Sequence, residues 1–328
     1  MSHSDTVSAR QLWAAVLGAS SAVVFGPCVR LGWPWLAAGG AAAAGMTTLL
    51  LQRLPPRQTF AGCAAGRILL AAGAALLAVL AAFSAAESRL AFPETARALW
   101  SGLPVLALAG LAASRGTKVL LRCGSILAPI LAVLYAILLL SAATQADPAW
   151  MRPENTPGQI LPAFCLLLCP ALSLCFRDEC AQPVRGLLPT AAMVALAALS
   201  AALCAGVLSA PGAAMPASFL ALAQSVSVLG VMHRFEALCS AGSLTGCFLL
   251  CALSLGGCLN CLRALLPSLD RRSGILRLSL PIAGLSLACS GLQTAWIAGA
   301  GAIYCVGLTL AALGIGFRKK SAKMQKKC

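Results

Sequence analysis

The stretch FCLLLCPALSLCF at residues 164–176 places Pro170 in the middle of an apolar run, with Ser173 one turn later and Cys165, Cys169 and Cys175 around it. Proline has no N–H to give the carbonyl of Leu166, and its ring crowds that carbonyl, so a helix through this run frees a polar backbone group. In lipid such a group must be satisfied by protein, water or ligand. A second apolar run, GASSAVVFGPC at residues 18–28, is interrupted by Gly18, Ser20, Ser21, Gly26 and Pro27. Half-helix N-termini offer partial positive charge to a carboxylate, and half-helix C-termini offer carbonyls to an ammonium or a cation, so a pair of breaks suits a zwitterion. Gly18, Ser20 and Ser21 are expected to supply freed amides and hydroxyls. Leu166, Cys169, Pro170 and Ser173 are expected to supply carbonyls, the discontinuity and one hydroxyl. The competing reading is a structural kink, since Pro104, Pro129 and Pro281 also fall within apolar runs.

The elements that must position these residues follow from composition. Of 328 residues, 60% are hydrophobic and 10% charged, against roughly 25% charged in a soluble domain. Apolar stretches recur at the length that crosses about 30 Å of hydrocarbon. Ten spans can be drawn, near 11–29, 33–53, 66–86, 97–114, 118–141, 158–176, 186–209, 234–262, 275–292 and 294–317. The first is read as retained rather than cleaved, because no small-residue cleavage site precedes a soluble domain. The polar, proline-rich stretch TQADPAWMRPENTPG separates two groups of five. Interrupted helices open both groups, which is the pattern of an inverted-repeat transporter. The expectation is therefore an all-α integral membrane protein with discontinuous first and sixth helices and a single membrane domain over 1–328. A first repeat covers 9–142, a second covers 158–317, and a basic cytoplasmic tail covers 318–328. Residues 209–233 are read as an outer loop carrying a short amphipathic helix.

Loop charge orients the bundle. With both termini cytoplasmic, the inner segments collect all 24 basic residues except Arg30, Arg89, Arg97, Arg152 and Arg234, and the outer side keeps most acids, as the positive-inside rule requires. The net charge of +15 is then first a topology signal, and no nucleic-acid partner is implied. The tail RKKSAKMQKKC also suits anionic lipid head groups.

Enzyme chemistry finds little support. There is no phosphate-binding glycine loop with a following Lys and Ser or Thr, and His3 and His233 are far apart. Cys258 and Cys261 have the gap of a metal or redox pair but lack a second pair or a nearby histidine, and most other cysteines sit among Ala and Leu as small hydrophobes. Neither a metal nor a cofactor is expected. Gly242 and Gly246 have the spacing that lets helices approach closely. The acids Glu87, Glu94, Glu179 and Glu236 fall near span ends, which disfavours a mid-membrane carboxylate relay. Arg234 and Glu236, opening the eighth span, read either as interfacial anchors or as a gate or partner contact.

Several short segments resemble, in order, the amino-acid-permease-like membrane subunit of endospore germinant receptors, a branch of the amino acid, polyamine and organocation transporter superfamily. They are SARQLW at 8–13 with Pro27 beyond it, SRGTKVLLR with Arg115, Gly116 and Arg122 in the loop between the fourth and fifth spans, ILPAF, and SVSVLGVMHRFEAL with Arg234 and Glu236. Ser20 stands where that pattern has glycine. The resemblance implies a ten-helix bundle in five-plus-five inverted repeats with a pocket between the first, third, sixth and eighth helices. It further implies an amino acid or similar nutrient as ligand, a second membrane subunit and a lipoprotein as partners, and signalling of germination from the spore inner membrane. A stand-alone amino-acid transporter in the cell membrane and a scaffold with a vestigial pocket are the alternatives.

Overall fold

The computed structural model describes residues 7–53, 61–88, 98–151, 168–180, 183–213, 215, 218–226 and 235–288. Among them the chain is helical, with one isolated parallel bridge between Val7 and Cys180 and no strand. The helices are α1 Ala9–Val24, α2 Trp33–Arg53, α3 Ala64–Glu87, α4 Ala98–Ser114, α5 Thr117–Ala143, α6 Leu168–Phe176, α7 Leu187–Ala213, α8 Ser218–Ser225, α9 Phe235–Leu265 and α10 Arg271–Ala288. They fall on the first nine expected spans, of which the sixth is described only over 168–176 and the ninth to 288, with α8 as the short helix expected between the seventh and eighth. The expected tenth span lies outside the described residues. Among the described residues five helices, α2, α3, α5, α7 and α9, are long and apolar enough to cross a membrane.

Local chemistry sets the ends. Ser8 caps α1 through a reciprocal pair: the Gln11 amide donates to Ser8 Oγ at 3.2 Å, and the Ser8 amide donates to Gln11 Oε1 at 3.2 Å. The helix stops at Val24 because Pro27 disfavours the helical region at the residue before it. Gly26 takes φ −97° and ψ −103°, and a 3-10 turn, Pro27–Arg30, follows. Gly116 begins α5 at φ +116°, a conformation in which an L side chain is strained. Ser209 interrupts α7 with φ 63° and ψ 168°.

α9 is the central element. It is 31 residues long, and every residue from Leu249 to Cys261 is buried, as expected of a helix without a polar face. It packs against α3, α4 and α1, while α1 packs against α5 and α2 against α7. Small residues make the close approaches. A Cβ on Gly124 would stand 2.5 Å from Ala15 Cβ, and one on Gly246 would stand 2.5 Å from Ser21 Oγ. Gly242 lies against Leu134 and Tyr135. In lipid this packing supplies dispersion that a hydrophobic driving force does not. The opposite face of α5 carries Val119, Ile126, Ile130, Val133, Ile137 and Leu140 exposed at helical spacing, the arrangement of a face solvated by acyl chains.

The contacts also obey an exchange. Counting α9 and α10 as the eighth and ninth spans, the first packs on the sixth, the second on the seventh, the third on the eighth and the fourth on the ninth. The first meets the seventh and the second meets the sixth, while the fourth meets the eighth and the third meets the ninth.

One end of the bundle is tied by polar contacts. Asn260 Nδ2 of α9 donates to Glu179 Oε1 at 3.0 Å, just after α6. Arg271 opens α10 and donates to the Ala113 carbonyl at 3.1 Å and to Thr117 Oγ1 at 2.9 Å, joining α4 and α5. Arg177 pairs with Asp178 at 3.1 Å and reaches the Leu51 carbonyl of α2 at 3.5 Å. These contacts bring together the inner segments of the sequence-derived topology, including the loop of Arg115, Gly116 and Arg122, whose two arginines are exposed.

Candidate functional site

The break in the first span is real but displaced from its expected place. α1 runs unbroken through Gly18, Ser20 and Ser21, so their amides lie within a helix rather than freed for a ligand. The serines keep the helix intact because their hydroxyls bond back to it: Ser20 Oγ donates to the Val16 carbonyl at 2.6 Å and Ser21 Oγ to the Gly18 carbonyl at 2.7 Å. Gly18 serves packing, since a Cβ there would meet Leu249 at 3.1 Å and Ala128 at 3.2 Å. The interruption falls at Phe25 and Gly26, where Pro27 dictates it.

Three rings gather at that break. Phe25 lies 3.9 Å from Tyr135 of α5 and 4.6 Å from Phe219 of α8, and Tyr135 and Phe219 are 5.5 Å apart, edge to face. All three are buried. The Tyr135 hydroxyl neighbours the hydroxyls of Ser21 and Ser243 yet forms no well-aligned hydrogen bond with either. Glu87, the last residue of α3, brings a carboxylate oxygen to 3.8 Å from where a Cβ on Gly26 would stand. Tyr135, Phe219 and Glu87 were not singled out as site residues from sequence. The available signals were that the chain has only two tyrosines and that Glu87 ends the third span.

In the sixth span, Pro170 lies in the described part of helix α6, and Ser173 is buried. Cys169 lies in the same turn, and Leu166 lies outside the described residues. α6 packs on α1 and α2. Cys175 of α6 sits against Gly257, whereas Ser21 of α1 sits against Gly246. Eleven residues of α9 separate these seats, about 16 Å at about 1.5 Å per residue, so Ser173 does not join Ser21 in one cluster. Arg234 lies outside the described residues, and Glu236 is half-buried in the first turn of α9, a position its charge favours. Cys258 and Cys261 are buried on α9, and no group of three metal-ligating side chains occurs among the described residues.

No protein-family model matches the sequence, and no curated protein does. Among solved structures, the chain superposes on Mhp1, a nucleobase-cation-symport-1 family transporter in a closed conformation with bromovinylhydantoin bound. The TM-score is 0.59 at 14% identity, over 90% of this chain and 75% of that one. The fold is that of a membrane transporter. This all-α chain is an integral membrane protein, and its interrupted first helix lies inside that fold, flanked by α5 and α9.

Proposed function

We propose that this protein binds a small polar nutrient, an amino acid being the leading class, at the break of α1, and that binding shifts the balance between conformations of its two halves. The observation that carries the reading is the interruption at Phe25–Gly26 within a transporter fold, with buried hydroxyls and a carboxylate beside it. Mhp1 holds a small organic molecule, a ligand of similar scale. The exchange of contacts between the first and second groups of spans supports a five-plus-five repeat, with 9–142 and 158–317 as its halves. Both termini face the cytoplasm in this reading, because the polar-tied end gathers the basic segments.

Net uptake of the ligand is the expected output. The resemblance to germinant-receptor subunits supports a second output, in which the same shift is passed to a second membrane subunit and a lipoprotein. The melting temperature of purified protein against amino acids, nucleosides and sugars tests binding: a ligand at 100 times its Kd adds about 2.7 kcal/mol. Counterflow in proteoliposomes then separates the outputs. Binding with counterflow supports a transporter, binding without it a receptor, and no binding in folded protein a scaffold.

A further inference from the structure

We propose that an anionic phospholipid docks at the N-terminus of α7, its phosphate held by helix-end amides, Arg185 and the indole N–H of Trp13. The site is separate from the break of α1 and does not depend on a ligand there. α7 opens the spanning stretch Leu187–Ser209, so its first turn lies at a membrane boundary. The amides of a helix's first turn have no partner within the helix and carry its positive end, which suits an anion. Pro189 brings no N–H, so Leu187 and Leu188 supply the free amides, and neither bonds to a described backbone carbonyl.

Trp13 of α1 marks the same spot independently. It is 7% exposed, and its Nε1–H has no hydrogen-bond partner, whereas a buried donor is normally paired. Glycine at 186 lets the indole come close: a Cβ there would stand 3.3 Å from Trp13 Cζ2 and 2.7 Å from Leu51 Cδ1. Cζ2 and Nε1 lie on one edge of the indole, so the edge that carries the unpaired N–H meets the residue preceding α7. Arg185, next in the chain, is exposed and among the described residues takes part in no ion pair. The acids of this corner are already matched: Asp178 pairs with Arg177, which reaches the Leu51 carbonyl, and Glu179 accepts from Asn260. The open groups are therefore donors and a cation. Beside them Leu187 and Leu188 are 60% and 81% exposed. Donors for a phosphate next to apolar side chains for an acyl chain fit a phospholipid at the boundary, whereas a soluble anion would gain nothing from the leucines.

The test uses the full-length protein, delipidated in detergent, and reads its melting temperature against phosphatidylglycerol, phosphatidylcholine and inorganic phosphate. Phosphatidylglycerol should raise the melting temperature and phosphatidylcholine should not. Trp13→Phe keeps a ring but removes the N–H, and should weaken phosphatidylglycerol about ten-fold, as for one lost hydrogen bond to a charged group. Arg185→Gln should weaken it about three-fold, as for an exposed charge. If Trp13→Phe does not fold, Arg185→Glu carries the test and should abolish the preference for the anionic lipid. Equal responses to the two lipids, as a buried water on Trp13 would give, would overturn the proposal. So would a wild-type preference for phosphatidylglycerol in both Trp13→Phe and Arg185→Glu. Stabilisation by inorganic phosphate equal to that by phosphatidylglycerol, and lost in Trp13→Phe, would overturn the lipid as occupant and assign the site to a soluble anion.

Discussion

The two ends of the bundle are closed by different physics. At the end where α6 and α9 finish, directional bonds do the work: Asn260 to Glu179, Arg271 to Ala113 and Thr117, and Arg177 to Leu51. At the other, Phe25, Tyr135 and Phe219 close the space by ring contact around an irregular backbone. Hydrogen bonds to charged groups hold one geometry and fail abruptly when stretched. Ring contacts accommodate small displacements. The difference assigns rigidity to the polar end and adaptability to the end where a ligand would sit.

Buried cysteines serve as reporters for both ends, Cys239 and Cys247 near the rings and Cys258 and Cys261 near the polar contacts. The largest effect is expected from Phe219→Ala, which removes a packed ring and should cost about 3 kcal/mol. Alkylation of Cys239 and Cys247 should accelerate while Cys258 and Cys261 stay protected; uniform acceleration would show that the ends are not separate. Arg271→Met comes next, at about 1–2 kcal/mol once partial exposure is discounted, with the reverse pattern of labelling. Gly116→Ala should cost about 1 kcal/mol, because its φ of +116° is the whole penalty and no atom lies within 4 Å of the added Cβ. A fall in melting temperature as large as that of Phe219→Ala would contradict that account.

The smallest expected effect is chemical. Burial, then Glu179 and Asp178, push the Cys180 thiol up to about 11. Only the thiolate attacks a maleimide, so labelling of Cys180 should rise about ten-fold per pH unit from neutrality toward that value. A rate flat above pH 9 would remove Cys180 from this acidic, half-buried corner.

The spans were legible in the sequence because hydropathy over a bilayer-length window reports a bulk property of the solvent. Their partners were partly legible too: Gly242 and Gly246 pointed to close approach, and they face α5 and α1 respectively. The exact break was harder. Gly18, Ser20 and Ser21 carry helix-weakening side chains, but serine hydroxyls that bond back to the helix hold it together, whereas Pro27 acts through covalent geometry that no neighbour can undo. Glu87 could not be placed beside Gly26 from spacing alone, because that proximity depends on how α3 ends relative to α1.

The exposed stripe on α5 is also a ruler. From Val119 to Leu140 it spans 21 residues, or about 32 Å at about 1.5 Å per residue, close to the roughly 30 Å of a bilayer's hydrocarbon. Planes drawn through those two residues mark the membrane boundaries on the molecule. Tyr135 then lies about 8 Å inside the Leu140 plane, so the break of α1 sits near one boundary of the bilayer and far from the other, where the polar contacts lie.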